Sequence, residues 1–370
     1  MSSRLTVHVA TIAALVGAAL GTGLSGAASA APAVRLAGPA ASASGWRLVY
    51  RLPRSGQHQL FSVAAPGRTS AWAVGGTRTA AIILHWSDGS WHQVSIPQAK
   101  GFVAFDVQAS SPDNVWISGT ASGGSPELVR WDGVSWQTMP VPPTGTGALD
   151  VIGPRNVWVA AACPASAGGK PCSILWNWDG TSWLGHKVGL NVSSVAGQRA
   201  DDVWAVGERG VRADGPYRVG RPYAVRWNGR TWRPVSMPAP RIKAIPVAAV
   251  AASGRVWVGI VPRTGRACAL QRSGTRWRTL QPPVADTGDC TLPVPDGRGG
   301  VWFGPFAHWT GRHWARTQSG LPFQGQNALS FTGMARISGS QALWLAGNMT
   351  PNPHTEGITR GFIAAHGTLP

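Results

Sequence analysis

"WDGVSW" at residues 131–136 returns as "WDGTSW" at 178–183 and as "WNGRTW" at 227–232. Two tryptophans five residues apart around a glycine fit one local geometry. If Trp131 and Trp136 oppose each other across a hairpin, the central turn residues are Gly133 and Val134. A type II′ turn requires a residue able to take positive φ at its first central position, and its twist matches the flanking strands. The same reading holds for Gly180-Thr181, Gly229-Arg230, Gly274-Thr275 and Gly311-Arg312. In the first copy, "WSDGSW", the centre shifts to Asp88-Gly89, which suits a type I′ turn. The tryptophans then form a directly opposed cross-strand pair.

A second tryptophan column lies upstream of each hairpin: Trp72, Trp116, Trp158, Trp204, Trp257, Trp302 and Trp344, at steps of 44, 42, 46, 53, 45 and 42 residues. Seven copies at this period indicate a solenoid or a propeller. Each copy holds four short runs rich in Val, Ile, Leu and Trp, separated by turn residues, with no sustained helical periodicity. Four antiparallel strands per copy make a propeller blade. The expected fold is therefore all-β, a seven-bladed propeller. The seventh copy stops after "GFIAAHG", one strand short, and the missing strand stands at the other end as "SGWRLVYRLP". An N-terminal strand completing the last blade would close the ring. With Trp46 in that slot, tryptophan fills 19 of 21 column positions; Arg272 and His366 are the exceptions and Trp176 lies outside the scheme. These columns are expected to pack between blades, each buried indole contributing roughly 4–6 kcal/mol gross, rather than to serve as sugar platforms.

The chain resembles the secreted, Trp-rich seven-bladed propellers of high-GC Gram-positive bacteria and is similar to the kelch and galactose-oxidase central-domain group. The turns also resemble the Asp box of sialidases, SxDxGxTW, but Asp88, Asp132 and Asp179 directly precede glycine, one residue short of that motif. A sialidase would imply an arginine triad and a tyrosine–glutamate nucleophile pair. The three tyrosines (Tyr50, Tyr217, Tyr223) and three glutamates (Glu127, Glu208, Glu356) offer no such pair. A copper site of the galactose-oxidase type would need a cysteine cross-link, and no catalytic residue carries over from either family.

The N-terminus has Arg4, an apolar run from Val9 to Leu24 and the small-residue site Ala28-Ser29-Ala30. It reads as a signal peptide over 1–30, followed by a flexible Ala/Pro/Ser/Gly leader over 31–45 and a single propeller over 46–370. No later segment is apolar and long enough to span a bilayer. Export favours disulfides, and proximity pairs Cys163 with Cys172 and Cys268 with Cys290. Neither spacing suits zinc. His308 and His313 lack a nearby carboxylate and read as surface or packing residues, so no metal and no cofactor is implied.

One carboxylate pair stands out: Asp106 ("AFDVQA") and Asp150 ("ALDVIG") occupy what read as matching positions in the innermost strands of neighbouring blades, with Ser62 and Ser194 in the same column. They are weak candidates for acid–base work near the channel, against the alternative that each accepts a backbone hydrogen bond. Binding is expected on the face carrying the b–c loops, three of which are long: "ACPASAGGKPCS" in blade three, "ERGVRADGPYRVGRPY" in blade four and "NMTPNPHTEGITRG" in blade seven.

The formal charge is +18, and residues 199–278 concentrate it, with fifteen arginines, Lys243 and four acids, a net +12. In the blade-four loop Arg209, Arg212, Arg218 and Arg221 interleave with Tyr217 and Tyr223. Guanidinium forks suit phosphate and carboxylate groups, and tyrosines beside them offer stacking surfaces. The sequence thus supports a secreted, monomeric binding module for an anionic cell-wall polymer, an acidic glycan or another protein. Nucleic acid is disfavoured, because no recognised binding module is present. The alternative is an extracellular enzyme acting on saccharides at the channel mouth.

Overall fold

The computed structural model describes residues 45–53, 57–77, 80–98, 101–164, 172–214, 217–238, 244–252, 254–262, 268–281, 293–317, 320–321, 328–351 and 359–370. The expected signal peptide, most of the leader, and Cys290 lie outside these residues, as does the side chain of Cys268.

Seven four-stranded antiparallel sheets account for the strands. In six of them the strands follow sequence order from the innermost (a) to the outermost (d). In the seventh, the N-terminal strand Trp46–Arg51 pairs antiparallel with Arg360–His366 and supplies the missing strand d. The closing rung is Trp46 opposite His366. Because strand direction alternates, the a–b turns and c–d hairpins emerge on one face of the ring, and the b–c loops and blade-to-blade connections on the other.

The hairpin turns take the expected form. Gly133, Gly180, Gly229, Gly274 and Gly311 all have positive φ, and among the described non-glycine residues only Asp88 does, at 51° beside Gly89 at 72°. The aspartates before the glycines cap these turns. Asp132 Oδ1 accepts from the backbone N–H of Val134 (2.9 Å) and Ser135 (2.8 Å), and Asp179 Oδ1 from Thr181 and Ser182 (2.7 and 2.8 Å). These backbone donors hold both carboxyls below the usual carboxylate range.

Every strand-b tryptophan is buried, and each packs against the hairpin pair of the next blade. Ring centroids lie 6.0 and 5.3 Å apart for Trp72 with Trp131 and Trp136, and 5.5 and 5.1 Å for Trp158 with Trp227 and Trp232. For Trp344 with Trp86 and Trp91 they lie 4.7 and 5.1 Å apart. The two column exceptions keep the arrangement. The Arg272 guanidinium sits 4.9 Å over the Trp204 ring, and His366 lies 4.9 Å from Trp302. Trp176, outside the columns, packs with the blade-two/three cluster, and its indole donates to Thr144 Oγ1 (2.8 Å).

A polar residue two positions before the strand-b tryptophan ties the blade together. Asn114 Oδ1 accepts from the Trp116 indole (3.2 Å) and from Arg130 Nε (3.0 Å). Asp202 Oδ1 does the same for Trp204 (3.1 Å) and Arg226 (2.7 Å). Asn156 takes Asn177 (3.0 Å), and Ser70 bonds His85 (3.2 Å). In blade six the acceptor comes instead from the a–b turn, where Asp296 bonds His308 (3.0 Å) and His308 stacks on Trp302 at 4.2 Å. The expectation that His308 has no carboxylate neighbour is corrected, because the a–b turn folds Asp296 back onto strand c.

The innermost strands of blades one, two, four, five and seven each carry a bulge near their middle. In blade four this presses strand a onto the glycine three residues after the tryptophan: a Cβ on Gly207 would lie 1.8 Å from the Asn191 carbonyl oxygen. Gly207→Ala is therefore expected to cost about 3 kcal/mol by forcing the two strands apart. Gly153→Ala, where a Cβ meets nothing within 4 Å, should change stability by less than about 0.5 kcal/mol. Urea unfolding of the two variants checks the contrast, which vanishes if strand a can slide.

Candidate functional site

The carboxylates from the sequence come to different places. Asp106 pairs across the ladder with Ser118, two residues beyond Trp116, whereas Asp150 pairs with Trp158 itself. The matching-position expectation is therefore corrected: Asp106 shares its rung with Ser62 and Ser194, and Asp150 shares its rung with Gln108. The cause is spacing: Asp106 stands ten residues before Trp116 and Asp150 eight before Trp158. Between each carboxylate and its tryptophan the two ladders carry the same single irregularity, at Ala109/Ser111 and at Val151/Gly153.

Asp106 accepts from Ser62 Oγ (2.7 Å) and, more weakly, from Gln108 Nε2 (3.3 Å). Asp150 Oδ2 accepts from the backbone N–H of Gly197 in the next blade (2.7 Å). Both side chains keep slight exposure to the channel but are otherwise walled by protein. Desolvation raises the Asp106 pKa against the pull of its donors. Asp150 is pushed up to about 7, first by desolvation and then by the Asp106 charge, with the Gly197 N–H opposing.

A cavity of about 360 Å³ lies in the channel wall of blades seven, one and two. Its polar lining is Ser62, Asp106, Gln108, Thr332 and Arg336, and Asp106 is the sole acid among the described lining residues. Such a lining can hydrogen-bond a small polar molecule. Arg336, at the end of the strand Ala328–Arg336, and Thr332, at its middle, had no distinguishing sequence signal. Among the described residues no three His, Cys, Asp or Glu side chains converge.

The blade-four segment, expected as a loop, is a paired ribbon with one bulge between Arg209 and Arg212. Strands Asp202–Asp214 and Tyr217–Trp227 pair from the sheet outward to the Asp214–Tyr217 rung. Pairing continues past the sheet edge despite Gly220 and Pro222, with β-favouring Val211, Tyr217 and Val219 among its residues. Arg209 stands opposite Arg221, Arg212 opposite Val219, and Arg218 opposite Ala213. The Arg209 guanidinium lies 3.7 Å over the Tyr223 ring, and its Nε donates to the Gly189 carbonyl (3.1 Å). Both Arg209 and Arg221 are exposed. The side chains of Arg212, Tyr217 and Arg218 lie outside the described residues.

In blade three, Cys163 and Cys172 form the expected disulfide, with the backbone N–H of Cys163 donating to the Cys172 carbonyl (3.2 Å). No helix among the described residues is long and apolar enough to cross a membrane.

No family model and no curated protein matches the chain. Solved structures do match. "YCF48 bound to D1 peptide" is 13% identical with a TM-score of 0.54, covering 89% of this chain and 99% of that one. YCF48 from Cyanidioschyzon merolae is 14% identical with a TM-score of 0.54, covering 86% and 99%. A catalytically inactive virginiamycin B lyase from Staphylococcus aureus, solved with quinupristin, is 11% identical with a TM-score of 0.55, covering 86% and 99%. At these identities the likeness shows a shared propeller fold, and chemistry must be argued from the residues themselves.

Proposed function

We propose that this chain is a secreted, monomeric binding module that takes an anionic cell-envelope or extracellular ligand on the b–c loop face of blades three to five. The reading extends the resemblance to the secreted Trp-rich, kelch-like propellers. Its main support is the blade-four ribbon: two exposed guanidiniums facing each other across one rung, one of them set on a tyrosine ring. Rigid presentation of Arg lowers the ordering cost of binding an oxyanion. One of the similar structures is described as bound to a peptide, which suits this scaffold as a recognition surface.

The test is retention on an anionic wall polymer at low salt. Arg209→Ala combined with Arg221→Ala should weaken binding about tenfold or more, two charge-assisted contacts being lost. A wild-type protein that ignores the polymer at low ionic strength, or a double variant that binds equally well, removes the reading.

A second reading, an extracellular enzyme on saccharides, draws on the Asp106–Asp150 coupling. It predicts glycoside turnover abolished by Asp106→Asn. The channel cavity gathers one of the two carboxylates, and this favours the binding module.

A further inference from the structure

Blade five departs from the tie that blades one to four keep. At the position two before the strand-b tryptophan, blades one to four place Ser70, Asn114, Asn156 and Asp202, each accepting or sharing a hydrogen bond with the strand-c side chain. Blade five places Arg255 there. The Trp257 indole N–H is consequently left without a protein acceptor. Trp72 and Trp158 are also unpaired, but in those blades the acceptor serves the strand-c residue. Blades six and seven place Gly300 and Ala342 at this position, so blade five alone sets a cation there. A charged side chain where the other blades put an acceptor or a small residue points to a use for it.

The register shows what Arg255 joins. Arg255, Ser273 and Arg276 form one rung across three strands, and Trp257, Gln271 and Arg278 form another rung two residues along. Directly paired residues share a face of the sheet. Trp257 packs with Trp309 and Trp314 of blade six, so this whole set faces the blade-five/six junction.

A cavity of about 390 Å³ opens there, floored on the blade-six side by the backbone of Gly299 and Gly311. Arg255 reaches across the junction, its Nη1 lying 3.1 Å from where a Gly299 Cβ would sit. Arg276 and Arg278 are exposed, and the Arg278 guanidinium lies 5.0 Å over Trp309. Among the described residues no acid is paired with any of the three arginines. Arg298 and Arg312, exposed beside the two glycines, add to the field.

We propose that this junction is a second ligand site, on the face opposite the b–c loops, which binds an acidic saccharide unit through Arg255, Arg276 and Arg278. The arginines take its oxyanions, and Gln271 and Ser273 take its hydroxyls. The volume falls in the range of small-molecule sites, roughly 300–1,000 Å³. A nucleic acid or acidic peptide brings bases or apolar side chains that need an open apolar or aromatic platform. The one large ring in the lining, Trp277, donates its indole N–H to the Ser236 carbonyl (2.7 Å) on the blade-four side.

The carboxylate and sulfate sources are distinguished by titrating the full chain calorimetrically with a tetragalacturonate and with a heparin tetrasaccharide at low salt. Single-stranded oligothymidylate serves as the third probe. At least one saccharide should bind, and Arg255→Asn, which gives blade five the acceptor of blades two and three, should weaken it about tenfold. Its unfolding midpoint should hold or rise, so the loss cannot be assigned to misfolding. Arg276→Gln with Arg278→Gln should act likewise, and the Arg209/Arg221 double variant should bind these saccharides as wild type does. Absence of saccharide binding, groove variants with wild-type affinity, or oligothymidylate as the only probe bound would each overturn the site. If the groove variants stay normal while the Arg209/Arg221 variant fails, the ribbon reading stands and the groove falls. The reverse pattern supports the groove, and the ribbon then stands or falls by its own retention on the wall polymer.

Discussion

Trp46→Ala is expected to lower stability by about 3–5 kcal/mol, the range for emptying a buried aromatic position. Trp46 is 1% exposed. Its indole donates to the Pro305 carbonyl of blade six (2.6 Å), and its ring lies 6.5 Å from Trp302 and 5.3 Å from His366. One side chain thus joins the first strand of the propeller, the last strand of the chain and the neighbouring blade. No covalent bond among the described residues closes the ring at this junction, so a cavity here loosens the closing strand as well as costing its own contacts. Trp183→Ala is the control. Trp183 fills the same column in blade three and donates to Pro140 (2.7 Å), but it is partly exposed and both flanking blades are held by chain connections. Its loss should cost about 1–2 kcal/mol less. Denaturant unfolding measures both; equal losses for the two variants would mean that the N-terminal strand is not a closure element.

The closure was readable in advance because its signals are local. A two-residue turn demands glycine at one place, the rung beside it demands a bulky pair, and seven repetitions leave the count and the missing strand in plain view. The site was not readable in the same way. Asp106 and Asp150 precede their strand-b tryptophans by ten and eight residues, a difference that the likeness of "AFDVQA" and "ALDVIG" conceals. The donors that meet each carboxyl come from neighbouring blades whose packing no local pattern states. The blade-four ribbon was misread because Gly220 and Pro222 carry turn propensity, while the pairing that overrides it runs outward from the sheet and past a bulge between Arg209 and Arg212. Arg255 had a legible signal of another kind. The residue two before each strand-b tryptophan runs Ser, Asn, Asn, Asp and then Arg through blades one to five, and only the hydrogen bonds of the first four give that change a meaning.

Asp150→Asn is expected to raise stability at alkaline pH by as much as about 4 kcal/mol and to leave it unchanged near pH 4. The Asp150 carboxyl titrates near 7 in the folded chain against an ordinary value of 3.8. The folded state therefore holds a proton that the unfolded chain has released, and stability falls as pH rises between those two values. Roughly three pKa units at about 1.4 kcal/mol each set the ceiling, and water in the channel lowers it. Asparagine keeps an acceptor for the Gly197 N–H and removes the charge that desolvation and Asp106 oppose. His85, His186 and His366, whose pKa values burial lowers, destabilise the fold in acid by the opposite sign. They are common to both proteins, so the difference between wild type and variant isolates Asp150. Urea midpoints at pH 4, 6 and 8 should converge at the low end and separate at the high end. Parallel curves would place Asp150 in ordinary solvent and dissolve its coupling to Asp106. If instead the curves diverge and the variant keeps every binding property of the parent, the raised carboxyl is a consequence of packing seven inner strands around a narrow channel, with no catalytic task attached to it.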